Sequence, residues 1–208
     1  MIATTDRTML IDDINTLSAI IGTHVFTVLP ESARCAIEDK KAELCAKLMV
    51  PYIEVLNRNK APHGIAPHKA VMILTVMRMV EEGTITGTVL MRSDRNMRET
   101  FKRVWAEYVP KNTRFRCEWE NPYKHLNYEG FWCLQHDGKS VRINSLLIYA
   151  MSREAGRTVL REVLLEMIDR DTVKKHYDSD NDSASLLAAE NLTSWAAALP
   201  LIGCLWGA

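Results

Sequence analysis

The stretch WENPYKHLNYEGFWCL, residues 119–134, sets Trp119, Tyr123, Tyr128, Phe131 and Trp132 around Pro122, with Lys124 and His125 among them. Aromatic planes give apolar contact, lysine and histidine give cationic donors, and proline gives a rigid ring without an N–H. Such a mixture suits a surface that grips something anionic and partly apolar. The same residues also read as a hairpin closing a small core, and composition leaves both readings open. A second group with chemical potential is His68 and Lys69, at the start of the apolar run HKAVMILTVMRMVEE. A helix start offers unpaired N–H groups and the positive end of the dipole, so two further donors there would complete a phosphate clamp. Capping and solvation of the helix start is the competing reading.

Catalytic signatures are missing. No phosphate-binding P-loop, dinucleotide glycine fingerprint, H-E-x-x-H zinc helix or G-x-S-x-G nucleophile turn occurs. An HNH nuclease needs its histidines in a ββα hairpin, whereas His68, His125 and His136 fall at a helix start, a loop and a turn, so no catalytic residue is assigned. Cys133, between Trp132 and Leu134, reads as a buried inert thiol rather than a nucleophile served by His125 or His136. The five cysteines are odd in number and scattered without C-x-x-C spacing, which argues against a disulfide framework or a zinc site and favours a reducing, cytoplasmic setting. No cofactor is expected. The N-terminus MIATTDRTMLIDD lacks a basic segment leading into an apolar run, and no stretch reaches the ~20 apolar residues that span a bilayer.

The chain has 208 residues and zero formal net charge, but the charge is unevenly distributed. Residues 1–50 hold 5 basic and 7 acidic side chains, residues 51–142 hold 15 and 10, and residues 143–208 hold 6 and 9. A basic centre between acidic flanks is the minimal footprint of a phosphate-binding surface.

These groups need elements to position them. Met9, Leu10, Ile14, Leu17, Ile20 and Ile21 recur at helical spacing over 8–22. Pro30-Glu31-Ser32 opens a second helix towards Leu48, and Pro51 marks a break or kink. NRNKAPHGIAP, residues 57–67, reads as a loop. The run from His68 to Glu82 is apolar on more than one face, the mark of a helix buried by neighbours on several sides. Gly83 sits at its C-cap, and Thr84–Val89 has the β-branched character of a short strand. Ser93 and Asp94 cap a helix of about 95–108 carrying Met97, Phe101, Val104, Trp105 and Tyr108. FRCEW and GFWCL, with a turn at His136–Lys139, supply hairpin strands. Residues 143–170 return to helix. The fold class predicted is α+β, mainly helical, with a helical core and a small β-hairpin in a winged-helix-like order.

Four segments in this order carry a family resemblance: APHKAVMILTVMRMVEEGTI, RETFKRVWAEYVP, NPYKHLNYEGFWCL and REAGRTVLREVLLEMID. They resemble the DNA sulfur-binding domain that accompanies the HNH nuclease of McrA-like type IV restriction enzymes, readers of phosphorothioate-modified DNA. The most specific pieces are A-P-H-K and P-Y-x-H-L-x-x-E-G-F-W-x-L. The resemblance implies a shallow apolar cavity for the phosphorothioate sulfur, with a proline ring against it and basic groups on neighbouring oxygens. A sulfur atom is larger, softer and more weakly hydrated than oxygen, so an apolar wall penalises it less. Carried onto this chain, Pro122 faces sulfur, Asn121 and Tyr123 flank it, His68 and Lys69 lie opposite, and His125 joins the set. Arg114, Arg116, Lys124, Lys139 and Arg142 are expected as supporting phosphate contacts.

The implied organisation is a helical extension over 1–49, the sulfur-binding-like domain over 50–170, a polar linker over 171–184 and an apolar tail over 185–208. No HNH motif follows residue 170, so the expectation is a reader of modified duplex DNA that does not cut: either the nuclease is a separate subunit or the chain is a truncated or diverged relative, with a homodimer as a further candidate assembly. The alternatives are a protein-interaction or dimerisation module, working through 185–208, and a diverged DNA-binding protein without sulfur selectivity.

Overall fold

A computed structural model of the chain describes residues 4–62 and 64–173. The expected polar linker over 171–184 lies outside the described residues but for its first three positions, and the apolar tail over 185–208 lies wholly outside them. Eight α-helices and two small antiparallel sheets occur among those described. The order begins α1 (Thr4–Ile21), α2 (His24–Val28), α3 (Glu31–Glu54), β1 (Lys60–Ala61), β2 (Gly64–Ile65), α4 (His68–Glu81) and β3 (Val89–Met91). It continues with α5 (Arg95–Tyr108), α6 (Glu120–His125), a 3-10 turn (Leu126–Tyr128), β4 (Trp132–Leu134), β5 (Ser140–Ile143), α7 (Ser145–Ser152) and α8 (Glu154–Val173). The fold is α+β and mainly helical. No helix among the described residues is long and apolar enough to cross a membrane.

Helix α4 is the centre. Every residue from Ala70 to Met77 is buried, as is Met79, so the helix has no solvent side. Each buried Leu, Ile, Val or Met contributes ~1.5–3 kcal/mol relative to exposure. The one polar side chain in that run, Thr75, donates its hydroxyl proton to the Val71 carbonyl at 2.7 Å. Helices α5, α6 and α7 pack on α4, while α3 packs on α7 and α1. Gly83, at φ +70°, ends α4 in the left-handed region.

Helix α5 starts where its cap predicts: the Asp94 carboxylate accepts from the Asn96 amide at 2.8 Å, and Met97, Phe101, Val104 and Trp105 are buried. The three-stranded sheet has the order β3-β5-β4, with Val89 and Cys133 both opposite Arg142, and Leu90 and Leu134 both opposite Val141. The β4–β5 turn is held by Asp137, whose carboxylate accepts from the Lys139 amide at 2.8 Å and the Ser140 amide at 3.1 Å, with Gly138 at φ +62°. That pairing and the backbone bonds hold the Asp137 carboxyl below its ordinary range.

Several expectations are corrected. Helix α3 runs through Pro51 instead of breaking there, because the proline falls in its last turn and costs one backbone bond near an end that Glu54 closes anyway. The expected division at 49/50 therefore lies inside a helix. Ile14, Leu44 and Met49 share one core with Ile73 and Leu164, and the described residues up to Thr172 form one compact unit, so 1–49 is not a separate extension. Thr84–Thr88 is not a strand: the Thr84 and Ile85 amides both bond back to the Met79 carbonyl, at 2.8 and 3.2 Å, which closes the end of α4 and delays the strand to Val89. FRCEW is not a strand either, and the hairpin is β4–β5, part of a three-stranded sheet rather than a free-standing wing. The loop 57–67 carries the two-residue ladder β1–β2.

Gly156 fixes the approach of α8 to α7. A Cβ built there would lie 2.2 Å from the Ala150 carbonyl oxygen, closer than any real contact. Gly156→Ala is expected to lower stability by ~1–3 kcal/mol, as overpacked sites do. Urea unfolding checks this, and an unchanged midpoint would contradict the close approach.

Candidate functional site

Residues 119–134 fold as a short helix, a 3-10 turn and a strand. Pro122 is tolerated in α6 because it stands in the first turn, where its missing N–H has no intrahelical partner to lose. Helical spacing then turns Pro122, Tyr123 and Leu126 inward, all buried, and leaves Asn121, Lys124 and His125 exposed. Tyr123 is fully buried. Its hydroxyl points at the Leu90 carbonyl at 3.1 Å and the Lys139 carbonyl at 3.4 Å. Its own carbonyl accepts from the Trp132 indole N–H at 2.9 Å. Trp119 and Trp132 meet its ring edge-on, with centroids 6.0 and 5.8 Å away. Burial pushes the phenol up to about 12.

Pro122 and Tyr123 are buried, and the segment is helical where a loop was expected. Of the five aromatic residues in the motif, Tyr128 is the exposed one, at 80%.

The helix-start pair is engaged as well. The His68 Nε2 lies 2.7 Å from the Arg116 carbonyl, which can only accept, so Nε2 carries the proton. Its ring packs on Trp105 at 4.7 Å and meets Phe115 edge-on at 5.9 Å. Burial lowers its pKa, opposed by the Arg116 carbonyl bond and the nearby Glu118 charge. Lys69 pairs with Glu129, their side chains 13% and 7% exposed, so this ammonium faces a carboxylate and not solvent. Helices α4 and α6 touch. The sequence motifs are neighbours, with His68 and Lys69 half-buried and Pro122 and Tyr123 buried.

The expected phosphate contacts fare differently. Arg114, Arg116, Lys124, Lys139 and Arg142 are all exposed, and none has an ion-pair partner among the described residues. The same holds for Arg95, Arg98, Lys102 and Lys111, so Arg103, bonded to Glu82, is the one paired cation between 95 and 142 among the described residues. In the flanks Lys40 and Lys47 pair with Glu43, Arg153 with Glu38 and Asp39, and Arg157 and Arg161 with Glu154. Sequence reasoning missed Arg95, Arg98 and Lys102, although their spacing of three and four places them on one stripe of α5.

That stripe borders a cleft of about 320 Å³ lined by Arg98, Phe101, Lys102, Cys117, Glu118, Trp119 and Glu120. Arg92 bonds Glu120 at 2.8 Å across its edge. Cys117 is exposed, with its thiol pKa raised by partial desolvation against the lowering influence of Lys102. Cys133 is also exposed, contrary to the buried thiol expected, because it points to the solvent face of the sheet opposite Arg142. Set against known proteins, the chain matches no family model and no curated protein.

Two outcomes follow from this geometry. Tyr123→Phe should cost ~1–3 kcal/mol by leaving buried carbonyls short of a donor, read as a lower urea midpoint; a neutral substitution would mean the hydroxyl is not holding α6 to the sheet. His68 binds protons less readily folded than unfolded, so acid favours the unfolded chain: its contribution is present above the ordinary histidine value of ~6.5 and is lost as pH falls below it. His68→Gln keeps a donor for Arg116 without titrating. Its unfolding free energy should therefore fall less than that of the parent between pH 7.5 and pH 5.5, and parallel curves would refute the assignment.

Proposed function

We propose that this chain binds the backbone of duplex DNA as the recognition module of a modification-dependent restriction system, with phosphorothioate-modified DNA as its target and no cutting activity of its own. The observation that carries the reading is the set of nine exposed cations between Arg95 and Arg142 without an ion-pair partner among the described residues, against flanks in which Lys40, Lys47, Arg153, Arg157 and Arg161 are ion-paired. An unpaired surface cation keeps its counterion, and releasing counterions is what drives association with phosphates. These cations are linked through contiguous elements: α5 borders residues 117–120, those lead into α6, and Tyr123 ties α6 to β3 and to the β4–β5 turn that carries Lys139, next to Arg142 on β5.

Sulfur preference rests on the family resemblance. Asn121 stands where such domains commonly have an aromatic residue, and Ala70 where they have proline, so exposed His125, Asn121 and Tyr128 are the groups of the motif left to meet a modified linkage. A separate nuclease subunit and a cytoplasmic setting, in keeping with four free cysteines among the described residues, complete the reading. The alternative of a protein-interaction module draws support from the solvent face of the sheet, where Val89 is 51% and Met91 46% exposed.

The test is a gel-shift titration of one duplex with and without phosphorothioate linkages over a range of salt. Tighter binding of the modified duplex is expected. Arg114→Ala with Arg116→Ala should flatten the log–log salt dependence by about 2, at ~0.9 per phosphate contact. Equal affinity for both duplexes removes the sulfur preference, and no binding at low salt removes DNA and leaves the protein-interaction module.

A further inference from the structure

We infer that the cleft between α5 and residues 117–120 is a nucleotide subsite, taking one nucleotide of a DNA strand with its phosphate between Arg98 and Lys102 and its base against Trp119. The inference rests on the DNA-binding reading and adds a site that neither the motif nor the resemblance assigns. At about 320 Å³ the cleft falls at the lower end of small-ligand sites, the size class of a single nucleotide. Arg98 and Lys102 stand one helical turn apart on its wall, about 6 Å between their Cβ atoms, so both side chains reach a common anion. Both are exposed and neither has an ion-pair partner among the described residues.

The remaining charge in the lining is consistent with one phosphate. Glu120 is neutralised by Arg92 at 2.8 Å, which leaves Glu118 against Arg98 and Lys102 and the lining net positive. Glu118 supplies an acceptor of the kind that bonds an exocyclic base amine. Trp119 is held by its edge-on contact with Tyr123, 6.0 Å between centroids, and so offers a fixed plane rather than a mobile one. Stacking on such a plane requires the base to leave the duplex stack, as a flipped or unpaired terminal nucleotide does, and is then tolerant of sequence, which suits a contact that anchors the strand while other groups discriminate.

Cys117 lines the same cleft, and Cys35, on α3, lies outside the 95–142 surface, so the chain carries its own reporter and control. The full chain is labelled with iodoacetamide at mildly alkaline pH, with and without saturating duplex, and the two cysteines are compared by peptide mass spectrometry. Duplex should slow labelling of Cys117 about tenfold while leaving Cys35 nearly unchanged, and Arg98→Ala with Lys102→Ala should abolish the protection and weaken duplex binding about tenfold at low salt. If the parent chain fails to shift duplex in the gel, the DNA reading itself falls. If it binds duplex but Cys117 labels at the free rate and the double variant binds as the parent does, the cleft alone is excluded. Protection by free dCMP with none by duplex would equally overturn it.

Discussion

The all-round burial of α4 is the constraint on which the other elements depend. A helix with eight consecutive buried residues cannot leave any side to water, so it must be walled by α5, α6 and α7, and the chain between 84 and 144 is laid out to supply two of those walls. The groups at the mouth of the helix are drawn in by the same demand. His68 is covered by Trp105 and Phe115 and satisfied by the Arg116 carbonyl, and Lys69 is covered beside Glu129. A cation placed that deep is stable only with its partner: removing the carboxylate would leave a buried charge uncompensated. Residues that looked like ligands at the start of a helix are therefore engaged in closing it.

Tyr123 plays the complementary part between α6 and the sheet. One side chain faces two carbonyls from β3 and the β4–β5 turn, accepts the Trp132 indole through its backbone, and packs edge-on between two tryptophans. Each edge-on pair adds ~0.5–1.5 kcal/mol beyond burial, so α6, though only six residues long, is fixed in orientation. That orientation decides which face of the motif meets solvent: Asn121, Lys124 and His125 outward, Pro122 inward.

Local signals explain what the sequence made legible. The spacing over 8–22, the Asp94 cap, the all-apolar run of α4, the glycine after it and the Asp137-Gly138 turn each depend on residues within a few positions, and each element formed where its signal lay. The failures involve competition at longer range. FRCEW has strand-like composition, but the Arg116 carbonyl is engaged by His68, 48 residues away, and β5 is already paired on both edges by β3 and β4. NPYKH reads as a loop because of its proline, yet a proline in a first helical turn costs nothing, and only the core contacts of Tyr123 reveal that a helix forms. The basic bias of the middle third was visible as a count. Which cations were paired was not, because Lys69 finds Glu129 and Arg92 finds Glu120 only after folding.

That last distinction decides what a chain of zero net charge presents at its surface. Formal charge sums all cations equally, but a cation 3 Å from a carboxylate presents a dipole whose field decays quickly, whereas an unpaired one acts over the Debye length, about 8 Å at physiological salt. With Lys40, Lys47, Arg153, Arg157 and Arg161 in ion pairs, and every cation of α5 but Arg103, of the 110–119 segment and of the hairpin without an ion-pair partner among the described residues, the field felt at the surface of residues 95–142 is more positive than the local count of charges implies. Folding thus separates charges that the sequence leaves balanced, and the separation is what a polyanion would meet first.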